Sequence, residues 1–133
     1  MVKAIPPLLL VLVALAQIVL ARTVDLTPWK GGGFGMFASL DHGAYRGVDV
    51  VIEGPNRSEQ LDIPPSLTAA HARAANCPVD WLLEDLAEGV VARERRYDRP
   101  VSRVTLTVWR AEFDPATLRP SERTVRTFEY DVP

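Results

Sequence analysis

The 133-residue chain holds one cysteine, Cys77, two histidines and two lysines, and only 8% of its residues are aromatic. A lone cysteine excludes an intrachain disulfide, a cysteine-based zinc site and a CxxC redox pair. No excess of one charge is present either, because 15 Lys and Arg face 17 Asp and Glu. Without a strongly basic face, a nucleic-acid partner is not expected. The phosphate-loop pattern GxxxxGK[ST] and the dinucleotide pattern GxGxxG in a βαβ setting are both missing, so no cofactor is expected. With no internal repeat and no low-complexity tail, the fold must rest on the packing of one small domain.

What the chain has in abundance is apolar residues at its start. From Ala4 to Ala21 the run AIPPLLLVLVALAQIVLA carries no charged side chain. As a helix it rises about 27 Å, close to the ~30 Å thickness of bilayer hydrocarbon. Lys3 and Arg22 flank it, and Pro6 and Pro7 fall in the first turn, where proline costs least. Two readings follow, an uncleaved single-pass anchor and a secretory signal cleaved after Val19-Leu20-Ala21. The anchor is preferred because the run exceeds the usual signal core of about 7–15 residues. Either reading places the following domain outside the cytoplasm. The expected organisation is an anchor or signal over residues 1–22, a glycine-rich juxtamembrane connector over 23–33 and a small domain over 34–133.

Residues 34–40 alternate Phe34, Met36, Ala38 and Leu40 with polar or small residues, which predicts a strand. Val48, Val50 and Ile52 alternate with Asp49, Val51 and Glu53 in a second strand, ended by Gly54-Pro55-Asn56 and expected to pair with the first as a hairpin. An alanine-rich helix is predicted over residues 66–75. A stronger one is predicted from Pro78 to about Arg96, with Val79, Leu82, Leu83, Leu86 and Val90 on one face and Arg93, Arg95 and Arg96 at its C-terminal end. Val104, Leu106 and Val108 define the clearest strand, over 101–111, with Trp109 on its opposite face. Residues 124–132 supply a partner that alternates Phe128, Tyr130 and Val132 against Val125 and Thr127. The order ββααββ predicts an α+β domain of two layers, an antiparallel sheet with helices on one face.

Candidate chemistry is sparse. Trp29 is placed either to touch a membrane interface or to cap the domain's core. Gly31, Gly32 and Gly33 with Phe34 form a turn or close-packing element, with an anion-binding nest or a docking surface as alternatives. Asp41 and His42 could act as an acid/base pair, although neighbours in an extended strand point to opposite faces. His71 and Cys77 are six residues apart around a helix break, so thiolate–imidazole chemistry would require the fold to join them. The arginines at 93, 95, 96, 99 and 103 could form a charged patch for lipid headgroups, or simply end a helix favourably. Trp109 is either a ligand or partner contact or the lid of a second small core.

Two segments, TPWKGGGFGMFASLD at 27–41 and VWRAEFDP at 108–115, resemble short bacterial proteins that carry one N-terminal membrane segment and a small extramembrane domain with no assigned activity. Thirteen arginines against two lysines suit a GC-rich bacterial genome. The resemblance implies a membrane-anchored protein, accessory to a larger membrane-protein partner, and transfers no catalytic residue. The expected function is a membrane-tethered extracytoplasmic interaction module held through Ala4 to Ala21, with Trp29, Gly31, Gly32, Gly33, Phe34 and Trp109 as contact candidates. A small exported enzyme using Asp41, His42 or His71, or a small-ligand-binding domain, is the alternative.

Overall fold

A computed structural model describes residues 5–25, 42–114 and 116–133, with side chains from residue 7. The first element is helix α1, Ile5–Thr23. A single 3₁₀ turn at Gly43–Tyr45 leads into strand β1, Arg46–Gly54, and a tight turn returns the chain as β2, Arg57–Gln60. Helix α2, Thr68–Asn76, follows a 3₁₀ turn at Pro65–Leu67 and is succeeded by α3, Asp80–Arg96. Strands β3, Arg103–Phe113, and β4, Pro120–Asp131, complete a four-stranded sheet of order β2-β1-β3-β4. Each neighbouring pair is antiparallel. The described domain is α+β, and its order of hairpin, helix pair and hairpin is the one predicted.

The first hairpin is built from different residues than predicted. Val48–Ile52 does form a strand, but its described partner is Arg57–Gln60, with Gly54 facing Arg57 across the turn. Gly54-Pro55-Asn56 is therefore the bend of the hairpin rather than its end. The strand expected over residues 34–40 lies outside the described residues. Only backbone bonds and charges specify β2: its sequence, Arg-Ser-Glu-Gln, offers no apolar alternation, and its last three residues are exposed. Edge strands commonly carry such a sequence because charge discourages further pairing.

Side-chain alternation on β1 and β3 sends Val48, Val50, Ile52, Val104, Leu106 and Val108 into the core. Against them α3 buries Leu83, Leu86, Ala87, Val90 and Val91, while α2 contributes Ala74 and Ala75. Small residues on α2 let its backbone lie close to the sheet. Leu67 reaches over α3 at Gly89, where a Cβ would stand 2.8 Å from the leucine methyl. Helix α3 starts at Asp80, with Val79 as its cap residue and Pro78 before it, two residues later than predicted. Asp80 in its first turn and three arginines in its last suit the helix dipole.

Strand β4 begins four residues earlier than predicted and contains an irregularity. Val108 pairs with Arg126 but Trp109 pairs with Thr124, so Val125 is an extra residue in the ladder. The bulge moves Val125 from its predicted outward side to packing against the core. Arg126 points toward the helices, where its guanidinium donates to the Pro78 carbonyl at 2.8 Å and pairs with Asp80. Thus one inserted residue lets β4 clamp the start of α3.

Among the described residues no helix is long and apolar enough to cross a membrane. The exposed apolar side chains of α1 run from Leu8 to Leu20, about 20 Å of helix, before Arg22 and Thr23 end the element. Ala4, where the predicted span begins, lies outside the described residues.

Candidate functional site

Register places a group of aromatic side chains on the sheet face away from the helices. Trp109 stands directly opposite Gly47, and a Cβ on that glycine would lie 2.5 Å from the indole Cζ2. The missing side chain lets the ring lie flat across β1. Its Nε1–H donates to Asp49 Oδ1 at 3.2 Å, which fixes the ring along the strand. Period-2 alternation carries Ala111 and Phe113 onto the same face of β3. Tyr45, just ahead of β1, meets Phe113 edge to face with ring centroids 6.0 Å apart. Trp109, Tyr45, Ala111 and Pro120 line an open depression of about 540 Å³.

The hairpin tip beyond this depression is ordered by its own hydrogen bonds. Asp114 Oδ1 accepts from the backbone N–H groups of Ala116 at 2.9 Å and Thr117 at 2.7 Å. These bonds, that from Thr117 foremost, hold the Asp114 carboxyl below its ordinary range. Leu118 N–H donates to the Asp114 carbonyl at 2.8 Å, and Leu118 itself adopts the left-handed region at φ 54 while 72% exposed. Beside the tip, Glu112 accepts from Arg110 at 2.8 Å and from Arg123 at 3.2 Å. Those two guanidiniums keep its carboxyl below the usual value.

Trp109 is the described member of the predicted contact set; it covers β1 at Gly47 and borders the open depression. Trp29, Gly31, Gly32, Gly33 and Phe34 lie outside the described residues, as does Asp41. Tyr45, Phe113 and Leu118 were not predicted. Continuing the β3 alternation two residues past Ala111 would have reached Phe113, whereas Tyr45 depends on a register that no local pattern contains.

The acid/base candidates are engaged in structural bonds. His42 Nδ1 accepts from Ala44 N–H at 3.1 Å and so caps the 3₁₀ turn. His71 Nε2 lies 3.2 Å from the Val48 nitrogen and 3.1 Å from its carbonyl oxygen, where it serves as acceptor or donor according to its tautomer. Cys77 ends α2, its N–H donating to the Arg73 carbonyl at 3.0 Å. Burial pushes the thiol above its ordinary range against the opposing pull of Arg46, which disfavours the nucleophilic thiolate. Among the described residues no hydrogen bond joins Cys77 to His71. No group of three or more His, Cys, Asp or Glu among them is placed to hold a metal ion.

The arginine run is organised around an acid. Glu94 is 0% exposed and receives Arg57 at 2.8 Å and Arg93 at 2.5 Å, with Arg99 at 4.0 Å. A buried carboxylate needs such compensation, because desolvation otherwise costs several kcal/mol. Arg103 instead pairs with Asp131 at 2.7 Å on the sheet's far side. Arg93 and Arg99 of the run thus belong to an ion network around a buried acid, and Arg103 to surface pairs. Arg57 ties β2 to α3 through this network, which gives the polar edge strand its tertiary anchor.

A buried arginine connects α1 to the domain. Arg46, 6% exposed, donates from Nη1 to the Asp25 carbonyl at 2.6 Å, with the Ala75 carbonyl 3.4 Å away. The end of α1, the start of β1 and the end of α2 therefore meet at one guanidinium. Compared with protein-family models, curated proteins and solved structures, the chain finds no match.

Proposed function

We propose that this chain is a membrane-tethered, extracytoplasmic accessory module, anchored by the segment from Ala4 to Ala21 and acting through binding rather than catalysis. One observation carries the reading. Ten Leu, Val and Ile side chains between Leu8 and Leu20 are exposed, from 42% at Ile18 to 70% at Leu8, and they lie all around α1. Contiguous apolar surface of that extent needs a cover, and an all-round distribution suits lipid better than a single protein face. A short apolar run is accommodated in a bilayer by local thinning and by snorkelling of flanking cations, for which Lys3 and Arg22 stand ready. The structural bonds made by His42, His71 and Cys77 favour binding over the enzyme alternative.

Alkaline extraction of membranes from cells making the full chain tests the tether. The expected result is retention in the membrane pellet, with an intact mass that includes residues 1–21 and protease access to the domain only from the extracytoplasmic side. Release at high pH, or a mature mass lacking those residues, would overturn the anchor.

A further inference from the structure

We infer that the β3–β4 hairpin tip, with Leu118, Phe113 and Tyr45 as its apolar contacts, docks onto the lipid interface beside α1. The inference rests on the tether proposed above and names the surface that the module meets.

Leu118 is the first observation. A leucine at φ 54 pays a steric cost that glycine or asparagine would avoid. Left-handed backbone at the end of one helix-like turn is where those residues are normally found. The side chain held there is 72% exposed, at the tip of a loop already ordered by Asp114. Among the described residues it is no part of the hydrophobic core. Phe113 and Tyr45, in contact with one another, are also exposed, at 37% and 44%, and extend the apolar surface back toward β1.

Position is the second. Arg46 binds the carbonyl of Asp25, two residues past α1, and Arg46 pairs with Arg110 in the sheet. The end of the exposed apolar helix therefore sits at the end of the sheet from which the tip projects. Phe113 lies three residues beyond Arg110, about 10 Å along the strand, whereas the β1–β2 turn is about 26 Å away at the other end. Tyrosine, phenylalanine and leucine with nearby arginines form a composition suited to the boundary between headgroups and hydrocarbon.

Charge then specifies which interface. Across the tip Arg110, Arg119 and Arg123 face Glu112, Asp114 and Glu122, a net charge of zero, with Glu112 bridging Arg110 and Arg123 and the Asp114 carboxylate accepting from the loop's own N–H groups. Docking is therefore apolar, indifferent to anionic lipid and to salt.

The test uses the full chain in a Cys77→Ser background, with a nitroxide attached at Ala116→Cys beside Leu118 or at Asn56→Cys in the β1–β2 turn. Both are exposed sites. Each labelled chain is reconstituted into phosphatidylcholine vesicles and isolated by flotation. The expected result is several-fold lower access of a water-soluble nickel quencher at 116 than at 56, unchanged by high salt. Leu118→Asn should restore access at 116 without lowering the thermal midpoint, because asparagine accepts that backbone readily. Co-flotation with equal access at both sites, or a difference that survives Leu118→Asn, overturns the docking while leaving the tether. Failure of both chains to float overturns the tether and the docking with it.

Discussion

Helices α1 and α3 are similar in length, 19 and 17 residues, yet they satisfy their apolar side chains in opposite ways. On α3 the apolar residues form one stripe, and Leu83, Leu86, Ala87 and Val90 are each 0% exposed against the sheet. On α1 they lie on every side and remain in the open. Amphipathic spacing is the mark of a helix whose cover is elsewhere in its own chain, whereas all-round apolarity marks one whose cover must come from outside. Burial in this molecule therefore separates two parts: the sheet and α3 cover one another and decide whether the domain folds, while the apolar side chains of α1 stay outside that core.

Substitution can break that division. Leu86→Ala is expected to cost about 3 kcal/mol, because a fully buried leucine leaves a cavity, and a denaturant melt of the full chain in detergent would read it as a lower midpoint. Leu12→Ala, at a site 62% exposed on α1, should leave the same transition unmoved. Equal losses from the two substitutions would show that α1 packs on the domain.

A charged residue sharpens the point within α3 itself. Glu94→Ala is expected to destabilise by about 2–3 kcal/mol, toward the low end for a broken buried pair because the arginines around it keep access to water. Chemical denaturation measures it, and a loss no larger than that of a surface substitution would deny the ion network its role in joining β2 to α3. The smallest effect is expected on the same helix at Trp81, 68% exposed. Trp81→Ala should stay within about 0.5 kcal/mol of the parent, as surface changes do. A larger loss in the full chain would mean that the face of α3 bearing Trp81 is covered as well.

Legibility in the sequence follows the same division. The helix over Asp80–Arg96 and the strand Arg103–Phe113 were visible because each has one face covered by the other, and a covered face imposes its period on the residues. Strand β2 was not visible: Arg57, Ser58, Glu59 and Gln60 lie at an edge, and their pairing is stated in backbone bonds to β1. The displacement of Val125 was hidden as well, since a bulge shifts alternation without changing composition. Glu94 reads in sequence as one acid among exposed arginines, and its partner Arg57 stands 37 positions earlier, so no local pattern shows the ion network that surrounds it. Of the contact surface, Trp109 was legible as an outward aromatic on a clear strand. Tyr45 joined it through β1–β3 register, and Leu118 through a backbone angle, neither of which a local pattern encodes.

His71 has a consequence beyond the fold. Strand β2 pairs with β1 only from Val51 to Gly54, with Leu61 adding one bond to Val50, so the Val48 backbone faces outward on that edge. The imidazole of His71 fills that rung. Wherever copies of a domain meet at high density, an open rung on a sheet edge would recruit a neighbour's strand. A side chain standing in for a strand there lets copies of the domain be concentrated without their sheets growing into one another.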